Sequence, residues 1–142
     1  MAPNAYEIKL CKASEGWNGN DYWVQGRCGA IPPAAPGEDP KVVLTMQKCL
    51  LKGSDLFYAI HSLHTTDMGR TWNAPVEQAA LSRRKLPEGE RVPCDGTPKW
   101  HAATGKLLAT GHTAYYTPEN RIVPGYRPRQ TWYSVYDPKT HQ

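Results

Sequence analysis

The sequence predicts an all-β fold made of two successive antiparallel meanders of about four strands each. Three observations predict it. The aromatic residues are eight Tyr and five Trp against one Phe, accompanied by 13 Pro and 12 Gly, a mixture of half-buried strand formers and frequent turn residues. Short runs of β-branched and apolar residues are separated by Gly, Asn, Asp and Pro clusters. The pattern of runs and turns repeats after about fifty residues. A chain of 142 residues with 39% hydrophobic and 21% charged residues can bury one ordinary core.

In chain order, Tyr6 to Cys11 reads as a strand, and a polar loop follows to about Asp21. Tyr22 to Ile31 reads as a second strand, stopped by Pro32-Pro33-Ala34-Ala35-Pro36-Gly37, which lacks the N–H groups a central strand must donate. Val42 to Leu50 is apolar and β-branched, Lys52-Gly53-Ser54-Asp55 is a turn, and Leu56 to His64 returns. Trp72 to Val76 continues as the next strand. Pro75, suited to a first helical position, allows one or two helical turns within Val76 to Lys85, part of a connection running from Glu77 to Cys94. The second cycle takes Pro98 to Ala102, a turn at Ala103-Thr104-Gly105, Lys106 to Tyr116, a loop from Thr117 to Pro128, and Gln130 to Tyr136. It ends on the polar turn Asp137-Pro138-Lys139-Thr140.

Between the first cycle's strands lies Thr65-Thr66-Asp67-Met68-Gly69-Arg70-Thr71-Trp72, which fits the eight-residue Asp-box pattern [ST]-x-D-x-G-x-[TS]-W. Average residue usage makes a chance match in a chain of this length roughly one in ten thousand. The chemistry is that of a turn: Thr65 and Asp67 offer acceptors to turn amides, Gly69 takes a positive φ, and Trp72 supplies a ring to bury. Asp67 is therefore read as a structural carboxylate. On this motif the chain resembles the sialidase superfamily of Asp-box proteins. Val43-Leu44-Thr45-Met46-Gln47, Gly53 to Ala59, and Asp95-Gly96-Thr97-Pro98 with Thr104 to Leu108 are also similar to its blades. The resemblance implies a partial β-propeller: about two four-stranded blades of a six-bladed ring. Residues 1–25 are then an N-terminal segment, 26–76 a blade with the Asp box, and 77–142 a connection and a second, incomplete blade.

The resemblance also implies chemistry. Sialidases grip a substrate carboxylate with arginines, use a Tyr/Glu nucleophile pair and an Asp acid/base. The Asp-box turn would lie away from the site, bringing the opposite loops forward. Asp55 is then the acid/base candidate. Arg27, in Arg27-Cys28-Gly29-Ala30-Ile31-Pro32, resembles the family's Arg-Ile-Pro motif with three residues inserted, and stands at the entry to the innermost strand. Tyr126, Arg127 and Arg129 are the substrate-binding candidates on the second blade. The nucleophile pair comes from later blades in the family, so the implied function is a sialidase-like glycoside hydrolase segment that is inactive alone, with an acidic sugar as partner. The alternative is a non-catalytic carbohydrate- or protein-binding propeller segment.

Other classes find less support. A net charge of +4 gives a general attraction to anions, but the basic residues are scattered and nucleic acid is not an expected partner. Because Asp boxes occur in microbial ribonucleases, RNA binding stands as a third, lesser reading. Arg83-Arg84-Lys85 reads as a solvated connection. Cys11, Cys28, Cys49 and Cys94 form no C-x-x-C pair, and reduced thiols are expected. His61 and His64 fall on opposite strand faces, while His101 and His112 are expected to sit side by side across a hairpin; no metal site or cofactor motif follows. The chain carries no leader pattern and no membrane-length run, so as written it reads as cytoplasmic, whereas full-length relatives could be secreted. Two blades alone would leave apolar edges, which predicts self-association.

Overall fold

The computed structural model describes residues 8–52, 55–123 and 129–142. The fold is all-β: two four-stranded antiparallel sheets, each a simple meander in the order β1-β2-β3-β4 and β5-β6-β7-β8. The first comprises β1 (Asp21–Ile31), β2 (Lys41–Leu50), β3 (Phe57–Thr65) and β4 (Val76–Glu77). The second comprises β5 (Arg84–Leu86), β6 (Gly89–His101), β7 (Lys106–Tyr116) and β8 (Thr131–Tyr136).

The sheets pack face to face, with β6 lying across β1, β2 and β3. Strand alternation explains how. Val43, Thr45, Gln47 and Cys49, spaced by two along β2, are all buried, and Val92 and Cys94 of β6 are fully buried against them. Leu56, Phe57 and Tyr116 complete that core. Each fully buried apolar side chain contributes about 1.5–3 kcal/mol. Close approach of the sheets depends on Gly29, where a Cβ would sit 2.7 Å from the Pro98 carbonyl oxygen. On β7, Gly111 makes room for the Trp132 ring, whose Nε1 donates to His112 O at 2.9 Å.

Several elements differ from the sequence reading. Ile8 to Cys11 is not a strand, and residues 1–7 lie outside the described residues. Of Trp72 to Val76 only Val76 joins a strand: Asn73 turns inward to accept from His64 N, and pairing with β3 resumes only at Val76–Glu77. The helical stretch expected after Pro75 is one 3-10 turn, Ala79–Leu81. The strand read at Pro98 to Ala102 begins nine residues earlier, at Gly89, because a bulge between Cys94 and Thr97 absorbs Asp95-Gly96 without ending it. With β5 added, the second sheet is a full four-stranded meander.

Arg83 is not a solvated connection either. Its guanidinium lies 4.5 Å from the Tyr116 ring centre and 4.9 Å from that of Tyr58. It donates to Phe57 O, Glu90 Oε2 and Asn120 Oδ1 at 2.7 to 2.9 Å. A planar fork between two rings ties the connection to both sheets.

Candidate functional site

Two β-bulges face each other across the sheets. One interrupts β1 between Val24 and Arg27, the other β6 between Cys94 and Thr97. Each holds a non-glycine residue at positive φ, Gln25 at 56° and Asp95 at 57°. A bulge re-aims the side chains around it, and left-handed residues other than glycine cluster where function requires them. Gln25 Oε1 accepts from Asp95 N at 3.3 Å, so the two bulges are joined directly.

Around them three chemistry-bearing side chains converge. Arg27, paired with Thr45 in the ladder, directs its guanidinium to Asp95 Oδ1 at 3.8 Å. His112, opposite Cys94 on β7, places Nδ1 3.6 Å from Asp95 Oδ2. The side chains of Arg27, Asp95 and His112 are 47%, 35% and 32% exposed, so the group forms an open mouth and not an internal ion pair. Arg129 immediately precedes Gln130, whose carbonyl accepts from Thr113 N at 2.9 Å, next along β7 to His112. Long, half-exposed contacts of this kind contribute only about 0–1 kcal/mol. Both partners of Asp95 can therefore be exchanged for a ligand at little cost.

The structure brings Arg27 to Asp95 and His112. It does not bring Asp55 to them. Asp55 occupies the turn beyond Leu50, while Arg27 stands opposite Thr45, five residues back along β2, about 17 Å at the rise of a strand. Asp55 has a φ of 53°, and its carbonyl accepts from the Tyr116 hydroxyl at 2.5 Å, which is the work of a turn residue. Nor is Arg27 at the entry to its strand: it is the seventh of eleven residues, because β1 starts at Asp21. Tyr126 and Arg127 lie outside the described residues.

Thr65, Asp67, Gly69, Thr71 and Trp72 form the turn that their types suggest. Thr65 Oγ1 donates to Asp67 Oδ1 at 2.7 Å and accepts from Gly69 N at 3.1 Å. Thr71 donates to Asp67 through its amide at 3.0 Å and its hydroxyl at 2.6 Å, and Trp72 Nε1 donates to Gly69 O at 3.1 Å. These bonds, that from Thr65 first, hold the Asp67 carboxyl well below the usual carboxylate range. Both oxygens of this carboxylate are thereby engaged in the turn. The later turn has a lighter version of the same device, with Asp137 Oδ1 accepting from Lys139 N at 2.7 Å.

His101 and His112 are not neighbours: His101 pairs with Lys106 at the hairpin, and His112 pairs with Cys94. His61 packs edge-on against Trp23 at 4.9 Å between ring centres, and His64 stacks on His141 at 4.2 Å. Among the described residues no group of three or more His, Cys, Asp or Glu is placed to hold a metal ion. Asp95 and His112 are the site residues that the sequence reading missed. An Asp-Gly pair ordinarily marks a turn, and the one signal against that reading was the apolar alternation on both sides of it.

Comparison of the chain with protein-family models, curated proteins and solved structures finds no match.

Proposed function

We propose that the Arg27–Asp95–His112 group, with Arg129 beside it, binds the carboxylate of an acidic sugar, and that the two sheets are adjacent blades of a sialidase-like β-propeller. The observation that carries the binding reading is the convergence of Arg27 and Asp95 at two facing bulges. The blade reading is supported by two consecutive four-stranded meanders packed face to face and by an Asp-box turn whose threonines and aspartate bond to one another.

Arg27 supplies the donor fork that a planar carboxylate matches bidentately, and Arg129 adds a second positive charge. The ligand carboxylate takes over Arg27 from Asp95, leaving the Asp95 carboxyl beside the sugar and His112. There it is the acid/base candidate for a glycosidic oxygen, the role that the sequence assigned to Asp55. The Tyr/Glu nucleophile pair that the resemblance calls for would come from outside these two sheets. The chain by itself is therefore expected to bind and not to hydrolyse.

The direct test is an NMR titration with N-acetylneuraminic acid and, separately, its methyl ester, which keeps the sugar and removes the charge. The acid should shift the Arg27, Asp95 and His112 signals. The ester, or the acid with Arg27→Ala, should bind about tenfold more weakly, the loss of a charge-assisted bond. Equal binding of acid and ester would sink the reading. A fluorogenic sialoside tests the second half, since turnover by the chain alone would contradict it.

A further inference from the structure

We propose that Gln47, a residue with no access to a ligand, positions Asp95 in the site. The bulge in β6 takes Asp95 and Gly96 out of register with β7, and the backbone groups it frees are in the interior, where each needs a partner. Sheet one supplies them. Gln47 Oε1 accepts from Asp95 N at 3.3 Å, sharing that donor with Gln25 Oε1. Gln47 Nε2 donates to Pro93 O at 2.7 Å, and also to Tyr58 O at 2.9 Å in its own sheet. Thr45 Oγ1 donates to Gly96 O. The orientation of the amide follows from its partners: two carbonyls can only accept and one N–H can only donate.

Gln47 is 1% exposed and Thr45 7%, so both are polar side chains held in the interior. Such residues are costly unless every group is satisfied, and Gln47 is satisfied on both its amide atoms. A leucine or methionine would fill the same space and add apolar burial. What it would not do is fix the backbone on both sides of Asp95, at Pro93 and at Asp95 itself, and so aim the carboxylate at Arg27 and His112. Gln47 thus makes the site in the second sheet depend on the packing of the first.

The functional consequence rests on the acidic-sugar reading, and the test has an arm that does not. The first arm is amide hydrogen exchange at Asp95 in the full chain without sugar. Gln47→Met should accelerate it severalfold, less than the full loss of a buried bond because Gln25 Oε1 still accepts from Asp95 N, while amides of β2 and β3 remote from position 47 keep their protection. Exchange at Asp95 unchanged within about twofold would overturn the proposal. Where Gln47→Met fails to fold, Thr45→Val, which removes the bonds to Gly96 O and Arg27 O but leaves Gln47 in place, is expected to loosen the same amide by a smaller factor, and no change there would also overturn it. The second arm is affinity for N-acetylneuraminic acid. Asp95→Asn removes the carboxylate that competes with the ligand for Arg27 and should tighten binding; Gln47→Met, which releases the aim of that carboxylate, should tighten it too, and the double variant should match Asp95→Asn alone. Additive changes would show that Gln47 acts independently of Asp95 and refute positioning. Absence of sugar binding by the wild type would overturn the proposed function and leave the exchange arm to decide the role of Gln47.

Discussion

Tyr116→Phe removes one oxygen from the centre of the molecule, and the structure sets what that should cost. The hydroxyl donates to Asp55 O at 2.5 Å and accepts from Phe57 N at 3.0 Å, closing the β2–β3 turn from the second sheet. Tyr116 is 1% exposed and Phe57 9%, so the freed Phe57 N–H has no water to turn to. An orphaned buried donor costs about 1–3 kcal/mol. The Asp55 carbonyl belongs to an exposed turn residue and can be rehydrated, so it adds little. The ring stays, and with it the Arg83 stack and the packing against Val92 and Cys94. The expected loss is therefore about 2 kcal/mol, or about 6 °C in Tm for a chain of this size. Urea unfolding should show a lower midpoint at unchanged slope. Burial pushes the Tyr116 phenol well above its usual range, so it remains a donor and the loss should be the same from pH 6 to 9. Tyr133→Phe, at 77% exposure, is the control and should be neutral. A loss below about 0.5 kcal/mol in Tyr116→Phe would refute the view that this hydroxyl holds the turn.

Asp67 gives a pH dependence. Its carboxyl titrates lower folded than unfolded, so its contribution is complete above the unfolded carboxylate value of about 4 and is lost as the pH falls through the lower folded value. Asp67→Asn should be destabilised at pH 7 and show a flatter acid limb in urea midpoints from pH 7 to 2; parallel acid limbs would contradict it. The thiols should separate by position. Cys11 and Cys28 are exposed, while Cys49 and Cys94 are buried, with Cys94 pushed up to about 12, chiefly by burial. A disulfide-exchange reagent at pH 8 should react with Cys11 and Cys28 in the native protein and reach Cys49 and Cys94 only after unfolding; four equal rates would be the wrong result. Self-association should be visible by light scattering, because β8 carries Tyr133 at 77% and Val135 at 41% exposure on its outer side. Tyr133→Lys with Val135→Lys should shift the population toward monomer, and a wild type that stays monomeric at high concentration would dispose of the idea.

What could be read in the sequence divides along a physical line. Local chemistry was legible: β2, β3, β7 and β8 fall within a residue or two of the runs that announce them, and the Asp-box turn folds on its own threonines and aspartate. Tertiary satisfaction was not. Only the apolar alternation around it distinguishes Asp95-Gly96 in the middle of a strand from Asp-Gly at a hairpin, and the groups that make the bulge tolerable, Gln47 and Thr45, lie about fifty residues away. The same holds for Arg83, which reads as part of a basic linker until Tyr58 and Tyr116 close over it. Asp55 stands apart from this group for the converse reason: its turn looks free in sequence, and only the folded chain shows it tied to Tyr116, well along β2 from Arg27. Arg27, expected at a site from its motif, meets Asp95 for a reason that motif did not contain. It matters less for what precedes Ile31-Pro32 than for standing opposite Thr45, one strand position from the bulge that turns it toward Asp95. A site assembled between two bulges is a property of how the sheets meet, and the residues that decide it are the buried polar ones that a hydrophobic pattern passes over.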